Sequence, residues 1–499
     1  MTQKKARRQA RKQARSRQAQ HRRRRAPISN ADELRVLQRW LLPNNGIFAS
    51  LRFHGNTGWL PSSLVWLALC WSWSESKNVT DAFTQAAEWC ELMGGNAALT
   101  TYQGFMGAVV QWTDKFLSVL WPLIHQRMRD VAGNLYMVHG WVPIAFDGSR
   151  STAPRTESNE EAFCAANYGN GTTAKYRKKK SKGMRRTKNE KSKAQPQEPQ
   201  AWITMLWHMS LRLPWMWKLG PSNSSERGHV MDMLREKIFS IETLFCGDAG
   251  FVGYPLWARI AGLDMHFLVR VGANVKLLIE RKDCIIKRRK GYVLCWPLTA
   301  QQAKLPPLRL RLVQVRIGRQ RMWMLTNVLK RSRLTPKMMV NFYKMRWGIE
   351  VEFRGLKQTL DRSKLRCKNA QRLLAELNWS IMAMAVAEIF ALKEQIAPAA
   401  SKSSVKNLPP DPKKRSLANT IRALRHCLTH LQDIPELGEN LRSKLRGAVT
   451  DSYVRKSSKR ARYHPPNPDK KKLGDPEIRK LTLKEQENLD AITSTKSVA

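Results

Sequence analysis

Two stretches of the chain hold almost no apolar side chains, and they decide which parts of it can fold. Residues 1–25 ("MTQKKARRQARKQARSRQAQHRRRR") and 175–199 ("KYRKKKSKGMRRTKNEKSKAQPQEP") cannot bury a core, and 452–499 is rich in Lys, Arg and Pro. They read as a basic disordered arm over 1–27, a basic insert inside a folded region, and a basic, mostly disordered tail. The remainder of the 499 residues is long enough for two or three domains. With Lys+Arg 88 against Asp+Glu 39, the net charge is +49, a surplus that repels itself unless the working partner is a polyanion. Nucleic acid is the expected partner. A membrane is not, because the longest apolar run, "LVWLALCW" at 64–71, falls short of the roughly 18–20 residues of a spanning helix. No apolar segment follows the N-terminal charges, so no secretory signal is expected. Eight cysteines without a CxxC pair suit a reducing, cytoplasmic setting. His426 and His430 in "HCLTH" have a permissible metal spacing but no third ligand nearby, and read as structural.

Between the basic runs the texture changes twice. Residues 28–140 are helical and rich in tryptophan, which predicts a small all-α domain. Within it, Asn78-Val79-Thr80 and the amphipathic stretch that follows have the look of a helix-turn-helix capped by Thr80, so DNA binding is possible there. Over 141–395 strand and helix patterns alternate: "MVHGWVPIAFDGSR", "AWITMLWHMSLRL", "PWMWKLG" and "TLFCGDAGF" as strands, "SSERGHVMDMLREKI" and "GYPLWARIAGL" as helices, "MHFLVRV" as a strand. That order implies an α/β fold, a mixed sheet flanked by helices. Residues 275–330 alternate with period two and form a β-rich insertion ahead of a final helical region. The remainder, 396–499, is expected to hold a short helical pair and the basic tail.

Asp147 in "FDGS" and Asp248 in "GDAG" each follow an apolar strand and precede a glycine-containing turn. Taken singly, each is an ordinary turn or capping residue. The stretch "YKMRWGIEVEFRGLK", 343–357, adds a third carboxylate. Read as one α-helix with Tyr343 at zero, it puts Arg346 at about −60°, Glu350 at about −20° and Lys357 at about −40°, all on one face, with Arg354 near +20°. The plain reading of that face is a surface Arg346–Glu350 pair at i,i+4. With the two strand-end aspartates, however, Glu350 completes a set of hard oxygen donors suited to Mg²⁺, and the cations beside it suit phosphate.

The residues also resemble a known family. Tyr343, Arg346, Glu350 and Lys357 fit Y-(2)-R-(3)-E-(6)-K, the signature of the insertion-sequence-four type of bacterial DDE transposase, and "IAFDGS" and "CGDAGF" look like that family's two aspartate motifs in the right order. The resemblance covers about 140–390. It implies a ribonuclease-H-like catalytic fold with a β-rich insertion between the second aspartate and the glutamate, and Asp147, Asp248 and Glu350 as catalytic metal ligands. It also implies two Mg²⁺ ions, replaceable by Mn²⁺, and contacts from Tyr343, Arg346 and Lys357, joined by Arg354, to DNA phosphates. Some members stack a flipped base on a tryptophan of the insertion, a place that Trp323 occupies here. The implied activity is cleavage of DNA at the ends of a mobile element and transfer of the freed 3′-hydroxyl into target DNA, by a homodimer on paired ends, in a nucleoid-associated bacterial setting. The alternatives are a structure-selective nuclease of the same fold and an inactive DNA-binding derivative.

Overall fold

A computed structural model of the chain describes residues 28–54, 57–95, 99–163, 199–222, 224–236, 238–280, 290–318, 320–396, 414–436, 438–450 and 474–496. The basic arm, nearly all of the 175–199 insert, Cys164, Cys284 and the tail over 452–473 lie outside the described residues.

The chain is α/β, built on one ten-stranded mixed sheet. Its strands are β1 (Val142–Thr152), β2 (Gln200–His208), β3 (Leu213–Gly220), β4 (Thr243–Gly247), β5 (His266–Val271), β6 (Lys276–Ile279), β7 (Lys290–Cys295), β8 (Leu308–Ile317), β9 (Gln320–Thr326) and β10 (Glu477–Lys480). The order is β10-β6-β7-β8-β9-β5-β4-β1-β2-β3. β1 pairs with β4, and β4 with β5, in parallel; β1–β2 and β2–β3 are antiparallel. β4, "TLFCG", is buried at every position, as a strand covered on both faces must be. The β-rich insertion is no separate body. β9 pairs antiparallel with β5, and β8 and β7 follow, so the insertion extends the same sheet.

Four N-terminal helices precede the sheet: α1 (Asn30–Leu41), α2 (Pro61–Trp73), α3 (Val79–Leu92) and α4 (Tyr102–Ala132). The cap of α3 is Asn78, whose side chain accepts from the Thr80 N–H, in place of the Thr80 cap expected from sequence. After α5 (Glu157–Phe163), the helices α6 (Glu226–Met233), α7 (Tyr254–Ala261) and α8 (Leu298–Gln302) come between strands, and α9 (Pro336–Arg346) and α10 (Gly348–Arg354) follow β9. The N-terminal helices pack on α11 (Ala370–Ile396). Trp73 Nε1 donates to the Ala383 carbonyl at 3.0 Å, and Trp379 Nε1 to Thr113 Oγ1 at 2.9 Å.

α11 is apolar almost all round, the composition of a helix surrounded by protein. It is long and apolar enough to cross a membrane, but 89% of its most apolar window is buried inside the fold. Its buried glutamates are each met by arginine: Glu376 by Arg366 at 2.7 Å, Glu388 by Arg415 at 3.5 Å and Glu394 by Arg442 at 3.0 Å. Arg415 precedes α12 (Leu417–Thr429) and Arg442 lies in α13 (Leu441–Arg446), so these pairs tie the C-terminal helical pair to the core.

The end of the chain departs from the disordered tail expected. β10 adds to β6 in parallel, and α14 (Leu483–Lys496) follows it. Glu485 anchors the turn between them, accepting from Arg479 at 2.7 Å and from the Thr482 N–H at 2.9 Å. Those bonds, with the Arg479 charge, hold its carboxyl down at about 2. A short strand stabilised by pairing to another strand and by one ion pair leaves little periodicity to read in a lysine-rich sequence.

The helix expected to run through "YKMRWGIEVEFRGLK" is broken. α9 ends at Arg346, α10 begins at Gly348, and Lys357 lies in a π-helical turn, Gly355–Thr359. Packing demands a glycine at the break: a Cβ on Gly348 would lie 2.1 Å from Cη2 of Trp207, an indole that is itself buried in the sheet. Gly348→Ala is therefore expected to destabilise the fold by about 1–3 kcal/mol, the usual cost of overpacking, despite the roughly 1 kcal/mol that alanine gains over glycine in an open helix. Urea denaturation followed by circular dichroism checks this; an unchanged or higher midpoint would show that Trp207 does not demand a glycine there.

Candidate active site

The parallel register of β1 and β4 makes the first half of the site. Its last pair is Ala145 with Cys246, and extending it by two residues sets Asp147 beside Asp248 with both side chains on one face. β4 stops at Gly247, so Asp248 stands at its carboxyl end, where open α/β sheets form their crevices. β1 continues to Thr152 in its pairing with β2, so Asp147 lies within a strand and not at its end as the sequence suggested. Asp147 Oδ1 accepts from the Gly148 N–H at 2.9 Å, and Asp248 Oδ1 from the Gly250 N–H at 2.7 Å. Each keeps its second oxygen for another partner.

α9 and α10 pack against this strand pair and bring in the rest. Arg346, only 4% exposed, stands between two acids: Nη1 is 3.5 Å from Asp147 Oδ2 and Nη2 is 3.3 Å from Glu350 Oε1. The sequence reading of a surface Arg346–Glu350 pair is thus half right, because the pair exists but its arginine is buried and shared with Asp147. The ring of buried Tyr343 lies 5.4 Å from the same guanidinium, and that of Trp347 5.7 Å.

The remaining residues of the expected DNA-contact set are not gathered so tightly. Arg354 is exposed, and Lys357, in the π turn, is half-buried; among the described residues neither has an ion-pair partner. Burial lowers the Lys357 ammonium below its ordinary value. Trp323 lies on β9, partly buried, and its indole N–H is taken by Asp475 Oδ1 at 2.7 Å, a contact from the C-terminal segment that the sequence did not foretell. His426 and His430 stack at 4.6 Å, with Lys444 Nζ 3.2 Å from His426 Nδ1.

One residue that sequence reasoning passed over faces the aspartates. Glu226 opens α6 immediately after its Ser225 cap. A Cβ on Gly148 would lie 2.2 Å from Glu226 Oε1, and a Cβ on Gly250 would lie 3.9 Å from Oε2, so this carboxyl group lies against the glycines that adjoin both aspartates. An acid in the first turn of a helix is so common that its sequence carries no signal of this placement.

Burial dominates the electrostatics. It pushes the Asp147 carboxyl up to about 6; the Gly148 N–H and Arg346 oppose it, and Asp248 and Glu350 add repulsion. Glu226 is pushed up to about 7 by burial first and then by Asp147 and Asp248. Raised carboxyl pKa values mean that the fold binds these protons more tightly than the unfolded chain, so stability is lost as they ionise. For Glu226 that loss begins near the ordinary value of 4.5 and is complete above about 7. In chelator, Glu226→Gln is therefore expected to match the wild-type melting temperature near pH 4.5 and to exceed it increasingly towards pH 8. Parallel melting curves across that range would refute this account of the site.

The donors fit a hard divalent cation: they are carboxylate oxygens, with neither thiolate nor imidazole among them. Among the described residues no three acidic, histidine or cysteine side chains close on a single point as they stand; a guanidinium holds the space between Asp147 and Glu350.

Strand-borne acids with a buried arginine define a candidate site for phosphoryl transfer. In the comparison with known proteins, residues 144–386 match the family model described as transposase DDE domain. No curated protein matches the chain. Among solved structures, the cryo-EM structure of the piggyBac transposase synaptic complex with hairpin DNA is similar at 11% identity and a TM-score of 0.35, over 85% of this chain and 86% of that one.

Proposed function

We propose that this protein is a transposase that cleaves DNA at the ends of a mobile element and joins the freed 3′-hydroxyl to target DNA. The observation that carries the reading is Arg346 bound at once to Asp147 and Glu350, residues from sequence motifs some 200 positions apart. The family match over 144–386 spans all three acids. The strand order β3-β2-β1-β4-β5, antiparallel and then parallel, is the arrangement expected of a ribonuclease-H-like core, with β6–β9 as its insertion.

On this reading Asp147, Asp248 and Glu350 hold Mg²⁺, two ions in all, with Mn²⁺ able to substitute. The ions supply charge neutralisation and activate the attacking oxygen when bound. The protein does the rest by positioning. The Gly148 and Gly250 N–H groups each fix one oxygen of an aspartate; the other oxygen of Asp147 is met by Arg346. Arg346 neutralises Asp147 and Glu350 before substrate arrives, and its planar, buried guanidinium then turns to a phosphate of the DNA end. Tyr343 backs that guanidinium from beneath. Lys357 and Arg354, both without ion-pair partners among the described residues, take flanking phosphates, and a half-buried ammonium gains most from doing so. On this reading the strongly basic remainder, including the N-terminal arm and the helices of residues 28–140, holds duplex DNA. Base stacking on Trp323 requires the Asp475 contact to open. Trp347, 55% exposed and next to Arg346, offers a ready aromatic face. Action on paired ends implies a homodimer, and the resemblance to bacterial insertion-sequence transposases implies a cytoplasmic setting with access to the nucleoid.

Glu350→Gln is expected to lower Mg²⁺-dependent cleavage of end DNA by about a hundredfold or more, the scale of losing one key electrostatic group, with DNA affinity largely kept. Gel assays of nicking and of strand-transfer product with the DNA flanking the coding region measure both. Wild-type cleavage by the variant would sink the assignment, and nicking without joined product would favour a structure-selective nuclease.

A further inference from the structure

We propose that Glu226 is a fourth carboxylate of this site and a metal-binding residue beside Asp147, Asp248 and Glu350. The inference rests on the reading of those three as metal ligands. It starts from backbone space. Gly148 and Gly250 lack the Cβ atoms that would meet the Glu226 carboxyl group, at 2.2 Å from Oε1 and 3.9 Å from Oε2. The glutamate therefore reaches across from α6 to lie against the β1 backbone beside Asp147 and towards the loop that follows Asp248.

Its place is prearranged by neighbours on both sides. Ser225 Oγ accepts from the Gly228 N–H at 3.2 Å and fixes the start of α6. The next residue, Arg227, donates from Nη1 to the Val252 carbonyl at 2.6 Å and pins that start to the loop carrying Asp248. A glutamate that only complemented the helix dipole would face solvent or its own amides. Glu226 instead turns to the strands, into the field of two other acids.

The charge there is unbalanced. Among the described residues Glu226 and Asp248 have no ion-pair partner, so four carboxylates share one arginine. Arg150, the cation that acts on Glu226 from a distance, is engaged elsewhere, donating to Gln200 Oε1 at 3.4 Å and lying 4.2 Å from the Trp202 ring centroid. Arg346 is itself unsatisfied: its Nε is buried without a partner among the described residues. Carboxylates brought together in a part-buried place, with too few cations, cost stability unless a cation joins them. In a chain of net charge +49, a deficit of positive charge at this one place points to an inorganic cation.

Mn²⁺ binding to the full-length protein, read from the loss of the free-ion electron paramagnetic resonance signal, tests the assignment without relying on turnover. Glu226→Gln is expected to weaken Mn²⁺ binding about tenfold or more, with Glu226→Asp recovering part of the loss and Asp248→Asn serving as the control. Melting in chelator establishes that each variant is folded; should Glu226→Gln fail to fold, Glu226→Asp is expected to show a smaller weakening of its own. Wild-type Mn²⁺ affinity and stoichiometry in the folded Glu226 variant, with weakened binding in Asp248→Asn, would overturn the role of Glu226 and leave the three-acid site standing. Wild-type binding in both would overturn the metal reading of the whole site.

Discussion

Repulsion between neighbouring carboxylates is the constraint on which this molecule turns. The parallel pairing of β1 with β4 that builds the middle of the sheet also sets Asp147 beside Asp248, and a one-residue slip would turn one aspartate to the opposite face. The fold answers with Arg346, buried where α9 ends and divided between Asp147 and Glu350. It answers only in part: burial first, and repulsion from the neighbouring acids after it, keeps the carboxyls of Asp147 and Glu226 raised. On the proposed reading, a bound cation would relieve both.

The same economy appears around α11. A helix buried on every side has no solvent-facing stripe for charge, yet it carries Glu376, Glu388 and Glu394 and holds them by arginines from segments before and after it. Removing either partner of such a pair leaves an uncompensated buried charge, which typically costs about 3–5 kcal/mol. The N-terminal and C-terminal helices are thereby fastened to one central element, and the sheet edge is closed by β10 from the end of the chain.

Much of this was legible in the chain. The strand–helix alternation over 141–395, the two aspartate motifs and the Y-(2)-R-(3)-E-(6)-K spacing all follow from local pattern; Asp248 falls at a strand end as the pattern put it, whereas Asp147 lies within β1 and the four-residue signature is divided between α9, α10 and a π turn. The period-two run over 275–330 was read as strands, but not as a continuation of the main sheet, because which strand edge accepts an insertion is a matter of long-range pairing. The helix through Glu350 was drawn as continuous, since nothing nearby reveals that Gly348 meets Trp207. Glu226 was passed over for the same reason: its neighbours Gly148 and Gly250 are remote in sequence, and its own surroundings, a serine cap and an acid, suit any helix.

By itself, then, the sequence determined the chemistry available: two aspartates in strand motifs, cations spaced about a glutamate, and an excess of positive charge suited to a polyanion. Local propensity and composition are enough for that, because each depends on neighbours along the chain. The tertiary structure alone decided that Arg346 is buried and shared, that Lys357 sits in a π turn, that Trp323 is held by Asp475, and that Glu226 joins the acids. Those outcomes depend on strand register and on close packing between distant segments, where a single missing Cβ settles which side chain reaches the site.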